Sequence, residues 1–307
     1  MRKLLVLLMS TFLFILAACG NEEGQDKKVN ENKDSKASSD SKVEEYDKKV
    51  ASISIFLTGD LMALGITPDG TTTSDYLPLD EERFSKTEYL GFTKEPDMEA
   101  LIAMQPDEIF IDTEFAGKHG LEKYEAIAPT NVINLDEGRW KDHLHDIADI
   151  VDREKTAEQF IKDYEAKAEE VSTLAKEKLG EGTVMAVRIS PKGLRVYGME
   201  RPLGPILFED VGFKPAAGVE AIEENWENIS KEVLPDFDAD TIFVLVSSVD
   251  EGSEDVYKEL QNDPIWQSLK AVKNDQVFLI SEQPWLDYSA YGNKLALDNL
   301  EEILINK

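Results

Sequence analysis

The chain has 307 residues, 62 acidic against 33 basic, for a formal net charge of −29 at pH 7. So acidic a surface argues against partners such as nucleic acid and against adsorption to anionic lipid. Cys19 is the single cysteine, which excludes an internal disulfide and a thiolate metal cluster.

Arg2 and Lys3 precede an apolar run from Leu4 to Leu16, then Ala17, Ala18 and Cys19. A basic start, a short apolar core and small residues before a cleavage point make residues 1–18 a secretory signal and not a membrane span. The quartet Leu16-Ala17-Ala18-Cys19 resembles the bacterial lipobox, which implies cleavage before Cys19 and lipidation of its sulfur. Acyl chains there would hold the protein at the extracellular face of the cell membrane. Residues 19–49 are mostly Gly, Asn, Asp, Glu, Lys and Ser, and are expected to form a flexible tether. Without the leader, 33 − 2 basic residues face 62 acidic ones, a formal −31, so any cationic patch stands out.

The first half, residues 50–151, alternates strand and helix. Val50–Leu57 reads as a buried strand, and Thr58–Leu64 as an apolar helix closed by Gly65. Thr71–Tyr76 is polar and loop-like. A helix is expected at Met98–Met104, strands at Glu108–Asp112 and Asn131–Leu135, and a helix at Trp140–Val151. Arg153–Leu179 carries apolar residues at Ala157, Phe160, Ile161, Tyr164, Ala168, Val171, Leu174, Ala175 and Leu179. That spacing predicts one long amphipathic helix, capped by Asp152 and ended by Gly180 and Gly182. Taken with its flanks as residues 152–180, it is either a spine between two lobes or a long surface helix of a single domain.

The second half, residues 181–307, repeats the pattern. Thr183–Ile189 and Gly193–Tyr197 are strands paired through a Pro191-Lys192-Gly193 turn, and Leu203–Val211 is a helix. Thr241–Ser247 is a central strand, Gln276–Ile280 another, and Leu295–Ile305 the closing helix. Alternation of this kind predicts an α/β fold with mainly parallel sheets covered by helices.

Little catalytic chemistry is on offer. No GxGxxG or GxxxxGK[ST] loop, GxSxG elbow or HExxH motif occurs. His143 and His145 diverge on a helix and His119 is alone, so no metal site is expected. The notable feature is basic and aromatic. Within fourteen residues Arg188 ends a strand, Arg195 lies in the next and Arg201 precedes a helix, and ligands gather at strand ends and helix starts in parallel sheets. Their planar donors suit an oxygen-rich ligand, although Arg195 or a neighbour can equally pair with local acids. Trp285 and Tyr288 either wall a cleft or pack against the last helix. Arg139 opens a helix beyond a first-half strand.

The segments KEPDMEALIAMQPDEIFID, LRVYGMERPLGPILFEDVGFKP and PWLDYSAYGNKLALDNLEEIL, with the lipobox and the mid-chain helix, resemble substrate-binding lipoproteins of Gram-positive iron–siderophore ABC importers. The resemblance covers essentially everything from Val50 onward. It implies two Rossmann-like lobes joined by a single long helix, the class III arrangement, with small hinge motion and a monomeric state. It also implies that Arg188, Arg201, Trp285 and Tyr288 face a ferric siderophore, and that Glu99 and Glu209 dock on permease arginines. The iron arrives already coordinated, so no cofactor or protein metal ligand is required and no enzyme activity is expected. Basic residues concentrated in the second half favour a hydroxamate or citrate–hydroxamate complex over a trianionic catecholate. Haem, a corrinoid or a catecholate complex in the same fold is the alternative, and a surface-anchored enzyme a more distant one.

Overall fold

The computed structural model describes residues 46–74 and 82–307. The expected signal peptide, Cys19 and residues 19–45 of the expected tether lie outside the described residues. Residues 46–49, expected in the tether, are instead docked. The Tyr46 hydroxyl donates to Glu108, the Lys49 backbone N–H to Asp107 (2.7 Å), and the Lys49 ammonium to the Met104 carbonyl (2.6 Å). Polar contacts thus order a stretch that has little apolar surface to bury.

The first sheet comprises β1 (Val50–Ser52), β2 (Gly70–Thr73), β3 (Glu88–Phe92), β4 (Glu95–Pro96), β5 (Glu108–Asp112) and β6 (Thr130–Ile133). Its order is β4-β3-β2-β1-β5-β6, parallel throughout except between β3 and β4. The expected loop at 71–76 is therefore wrong for residues 71–73, which belong to β2. Threonine's branched Cβ suits a pleated surface, and the hydroxyls satisfy one another: Thr58 with Thr71 at 2.5 Å, Thr72 with Thr93 at 2.9 Å. The expected strand Val50–Leu57 also shortens, because a helix takes over at Ile55–Ala63. A short apolar run is buried equally well as strand or helix, so periodicity alone could not divide it.

The second sheet comprises β7 (Thr183–Ser190), β8 (Gly193–Tyr197), β9 (Lys214–Pro215), β10 (Trp226–Ile229), β11 (Thr241–Val246) and β12 (Val277–Ile280). Its order is β10-β8-β7-β11-β12, with β9 on β7. β7 is parallel to β9 and β11, and β11 to β12, while β8 returns antiparallel through the expected turn. β11 is flanked by strands and buried along nearly its whole length, which is why TIFVLV is an unbroken apolar run.

The helix Glu154–Leu179 joins the sheets, its 26 residues spanning about 39 Å at 1.5 Å per residue. Ala157, Tyr164, Ala168, Val171 and Ala175 form its buried stripe. Asp152 does not cap it: that residue has φ 56°, and Arg153 takes the cap position without a side-chain hydrogen bond. Gly180 ends the helix at φ 77°, a region glycine enters without steric penalty. Tyr164 meets Trp140 of the first half edge-on at 4.7 Å and donates to Asp210 of the second at 2.8 Å. One apolar core runs from Leu57 and Leu144 through Val171 to Phe243, Trp285 and Leu300. The observed architecture is α/β, two mainly parallel sheets joined by one long helix.

Candidate functional site

Parallel strands deliver their following loops to one edge, and the helices that start there leave a crevice. At the carboxyl ends of the first sheet's strands lies a cavity of about 440 Å³, within the roughly 300–1,000 Å³ typical of small-molecule sites. Phe56, Thr73, Phe92, Asp112 and Phe115 wall it from the first half. Arg201 and Tyr288 close it from the second.

Arg201 is held on three sides. Nη1 donates to the Leu135 carbonyl at 2.7 Å, Nη2 to Asp136 Oδ1 at 2.5 Å, and Cζ lies 4.7 Å from the Tyr288 ring centroid. Tyr288 stacks in turn on Phe56, with centroids 3.8 Å apart and planes at 23°. The series Phe56, Tyr288, Arg201, Asp136 therefore crosses the mouth between the halves twice. Burial pushes the Tyr288 phenol up, with Arg201 opposing in part, so the hydroxyl stays protonated at neutral pH. Asp112 is buried at the cavity wall, where its carboxylate accepts the Phe115 N–H at 2.9 Å. Burial raises its pKa and that N–H holds it back.

A smaller cavity of about 290 Å³ adjoins, sharing Leu135, Asp136, Arg201 and Tyr288 with the first. Arg139 lines it and pairs across the halves, Nη1 with Glu200 and Nη2 with Glu209, each at 2.6 Å. His143 also lines it, its Nε2 2.7 Å from the Glu137 carbonyl. His119 Nδ1 lies 2.8 Å from the Tyr124 hydroxyl. Among the described residues no group of three or more His, Cys, Asp or Glu is placed to hold a metal ion.

Of the six residues expected at the ligand, Arg201 and Tyr288 line the main cavity and Arg139 the smaller one. Arg188, Arg195 and Trp285 line neither. β7 runs two residues past Arg188, which makes the expected strand end an interior position, 7% exposed. A guanidinium buried there needs counter-charges. Ser247 Oγ (2.6 Å) and Glu282 Oε1 (3.0 Å) accept from Nη2, with Asp250 Oδ2 at 3.5 Å. Arg195 sits on antiparallel β8, its Cζ 4.4 Å from the Trp226 ring centroid. Trp285 is 2% exposed, stacks on Phe243 at 5.9 Å and donates its indole N–H to Asn299 at 2.8 Å. Packing against the last helix is thus the role Trp285 takes.

Glu99 is exposed in the first turn of the Met98–Met104 helix, capped by Asp97. Glu209 is exposed as well, but engaged by Arg139. Sequence reasoning missed Phe56, Phe92, Phe115 and Asp136. Each lies at or a few residues past the carboxyl end of a first-half strand. Had β3 been recognised, that rule would have pointed to all four.

With fold and cleft in view, the class of protein is defined. Residues 50–284 match the periplasmic binding protein family, and the chain belongs to that family. Among similar proteins, the iron-uptake system-binding protein of Bacillus subtilis is 30% identical over 303 residues, covering 92% of each chain. The crystal structure of that protein, FeuA, superposes with a TM-score of 0.70 at 28% identity, covering 83% of this chain and 93% of the other. A second FeuA structure, described as a triscatecholate siderophore-binding protein complexed with ferri-bacillibactin, gives a TM-score of 0.68 at 27% identity, covering 84% of this chain and 92% of the other. The "Probable siderophore-binding lipoprotein YfiY" of Bacillus subtilis is 28% identical over 325 residues, covering 97% of this chain and 96% of that one. Staphylococcus aureus SirA complexed with staphyloferrin B superposes with a TM-score of 0.73 at 25% identity, covering 84% of this chain and 93% of the other.

Proposed function

We propose that this protein is the solute-binding component of an ABC importer, capturing a ferric siderophore between its two halves and delivering it to the permease. The observation that carries this reading is the cavity at the strand carboxyl ends, walled by aromatic rings and closed by Arg201 and Tyr288. Aromatic faces suit the aliphatic arms of a siderophore, and a guanidinium suits its oxygens. The iron is cargo whose coordination the siderophore supplies, so the protein contributes shape and hydrogen bonds and performs no chemistry on it. Names borne by the relatives support the same class of ligand. A single arginine on the main cavity wall, among the described residues, favours hydroxamate or citrate–hydroxamate complexes over catecholates.

Lipid on Cys19 would hold the protein at the outer face of the cell membrane, as a monomer. Among the described residues no helix is long and apolar enough to cross a membrane. Exposed Glu99 is available to a permease; Glu209 would first have to leave Arg139.

Intrinsic tryptophan fluorescence of the full chain tests the reading. Ferric hydroxamate, citrate–hydroxamate and catecholate complexes are titrated in turn, with iron-free siderophores and haem as controls. Saturable quenching by an iron-loaded siderophore is expected. Quenching by haem alone, or by none of them, would overturn it.

A further inference from the structure

The charge of the cleft narrows the ligand, on the assumption that the ferric-siderophore reading holds. Among the described residues, the main cavity wall carries two cations, Lys94 and Arg201, against four carboxylates, Glu95, Asp112, Glu114 and Asp136. Its formal charge is thus 2 − 4, or −2. Even with Asp112 neutral, as its raised pKa allows, the wall does not become positive. Lys118, outside the lining, pairs with Glu114.

Arg201 is the group best shaped to receive an anionic ligand, and the protein already supplies it with an anion. Leu135 and Asp136 are consecutive, and they offer a carbonyl and a carboxylate to the two arms of one guanidinium fork. The turn that presents them is fixed locally: Asn134 Oδ1 accepts the Asp136 N–H at 3.0 Å, an Asx turn just after β6. Asp136 belongs to the first half and Arg201 to the second, so this pair also joins the cavity's two sides. An anionic ligand reaching for Arg201 must displace the Asp136 carboxylate or sit beside it. A ligand bearing an ammonium group can leave the pair intact and bond to the carboxylate's outward face, whose side chain is 63% exposed.

We infer that Asp136 determines specificity by net charge and narrows the two favoured classes to one: the cleft takes ferric tris-hydroxamates of zero or positive charge, above all one with a pendant protonated amine, and discriminates against anionic complexes, the citrate–hydroxamates as well as the trianionic tris-catecholates. This parts company with the relative crystallised with ferri-bacillibactin, whose ligand class does not carry over to a cleft with this charge.

Three probes test it on the full chain by tryptophan fluorescence at low and high salt. They are a ferric tris-hydroxamate bearing an ammonium arm, a neutral ferric tris-hydroxamate and a ferric tris-catecholate. The wild type is expected to bind the first two more tightly than the third. Asp136→Asn should move the affinity ratio of catecholate to ammonium complex by about tenfold towards the catecholate, less at high salt, since an exposed charge is partly screened. Asp136→Glu, which restores the charge, should return most of that ratio, and thermal unfolding shows whether each variant is folded. A wild type that prefers the catecholate, or a ratio that Asp136→Asn leaves unchanged while binding persists, would overturn the charge inference alone. Absence of binding by all three complexes would overturn the siderophore reading and this inference with it.

Discussion

Replacing Arg188 by alanine removes one partner from a buried ion pair and leaves Glu282, itself 4% exposed, facing an empty space. Stranding one member of such a pair destabilises by roughly 3–5 kcal/mol. Glu282 keeps the Ser248 N–H at 3.1 Å and the Ser248 hydroxyl, which places the effect at the lower end, about 3 kcal/mol. For a body of this size each kcal/mol lowers the unfolding temperature by about 2–4 °C, so a fall of about 6–12 °C is expected. Differential scanning calorimetry of the full chain measures it. Adding Glu282→Gln to Arg188→Ala should recover part of the loss, because a neutral amide no longer strands a charge. Ligand affinity, read below the transition, should change by less than about threefold. An Arg188→Ala protein that melts with the wild type but loses ligand binding would refute this reasoning and return Arg188 to the ligand, as the family resemblance had it.

Other expectations follow from the same geometry. Arg201→Ala should weaken ferric-siderophore binding by about tenfold, the scale of one hydrogen bond to a charged group on a partly exposed side chain; unchanged affinity in a fluorescence titration would remove Arg201 from the site. Asp60 is buried, accepts the Ala290 N–H at 2.7 Å, and has its pKa pushed well up by burial. Because the folded state favours its protonated form, its contribution is full below the ordinary carboxylate range and is lost as pH rises through the raised value. Asp60→Asn keeps an acceptor for Ala290 and should flatten the decline of unfolding temperature with rising pH; a wild-type slope in the variant would contradict this. Arg139→Ala removes two exposed ion pairs worth about 0.2–1 kcal/mol each and should lower the unfolding temperature by about 1–8 °C; a much larger fall would show that the clasp to Glu200 and Glu209 is a major support of the fold.

The elements most legible in the sequence were those that bury one well-defined face or both. The Glu154–Leu179 helix announced itself by its stripe, and β11 by an uninterrupted apolar run. β2 was illegible because its strand is made of threonines whose burial depends on hydroxyl partners elsewhere, Thr58 and Thr93. Arg188 lies buried inside its strand and not at its end, for a related reason. The groups that let a charge be buried there, Ser247 and Glu282, lie 59 and 94 residues away, and no local pattern reveals them. Trp285 and Tyr288 are three residues apart yet part ways, one into the core beside Phe243, the other onto Phe56 at the cleft. Sequence located the segment, but only packing divided its roles. Asp136 was one acid among 62, and only its place opposite Arg201 sets it apart.

The most direct measurement is a crystal structure of the full chain with a bound ferric tris-hydroxamate, its iron located by anomalous scattering. One iron peak is expected inside the cavity bounded by Phe56, Phe92, Arg201 and Tyr288, coordinated entirely by the siderophore. Iron outside that cavity, or ligated by a protein side chain, would contradict this expectation.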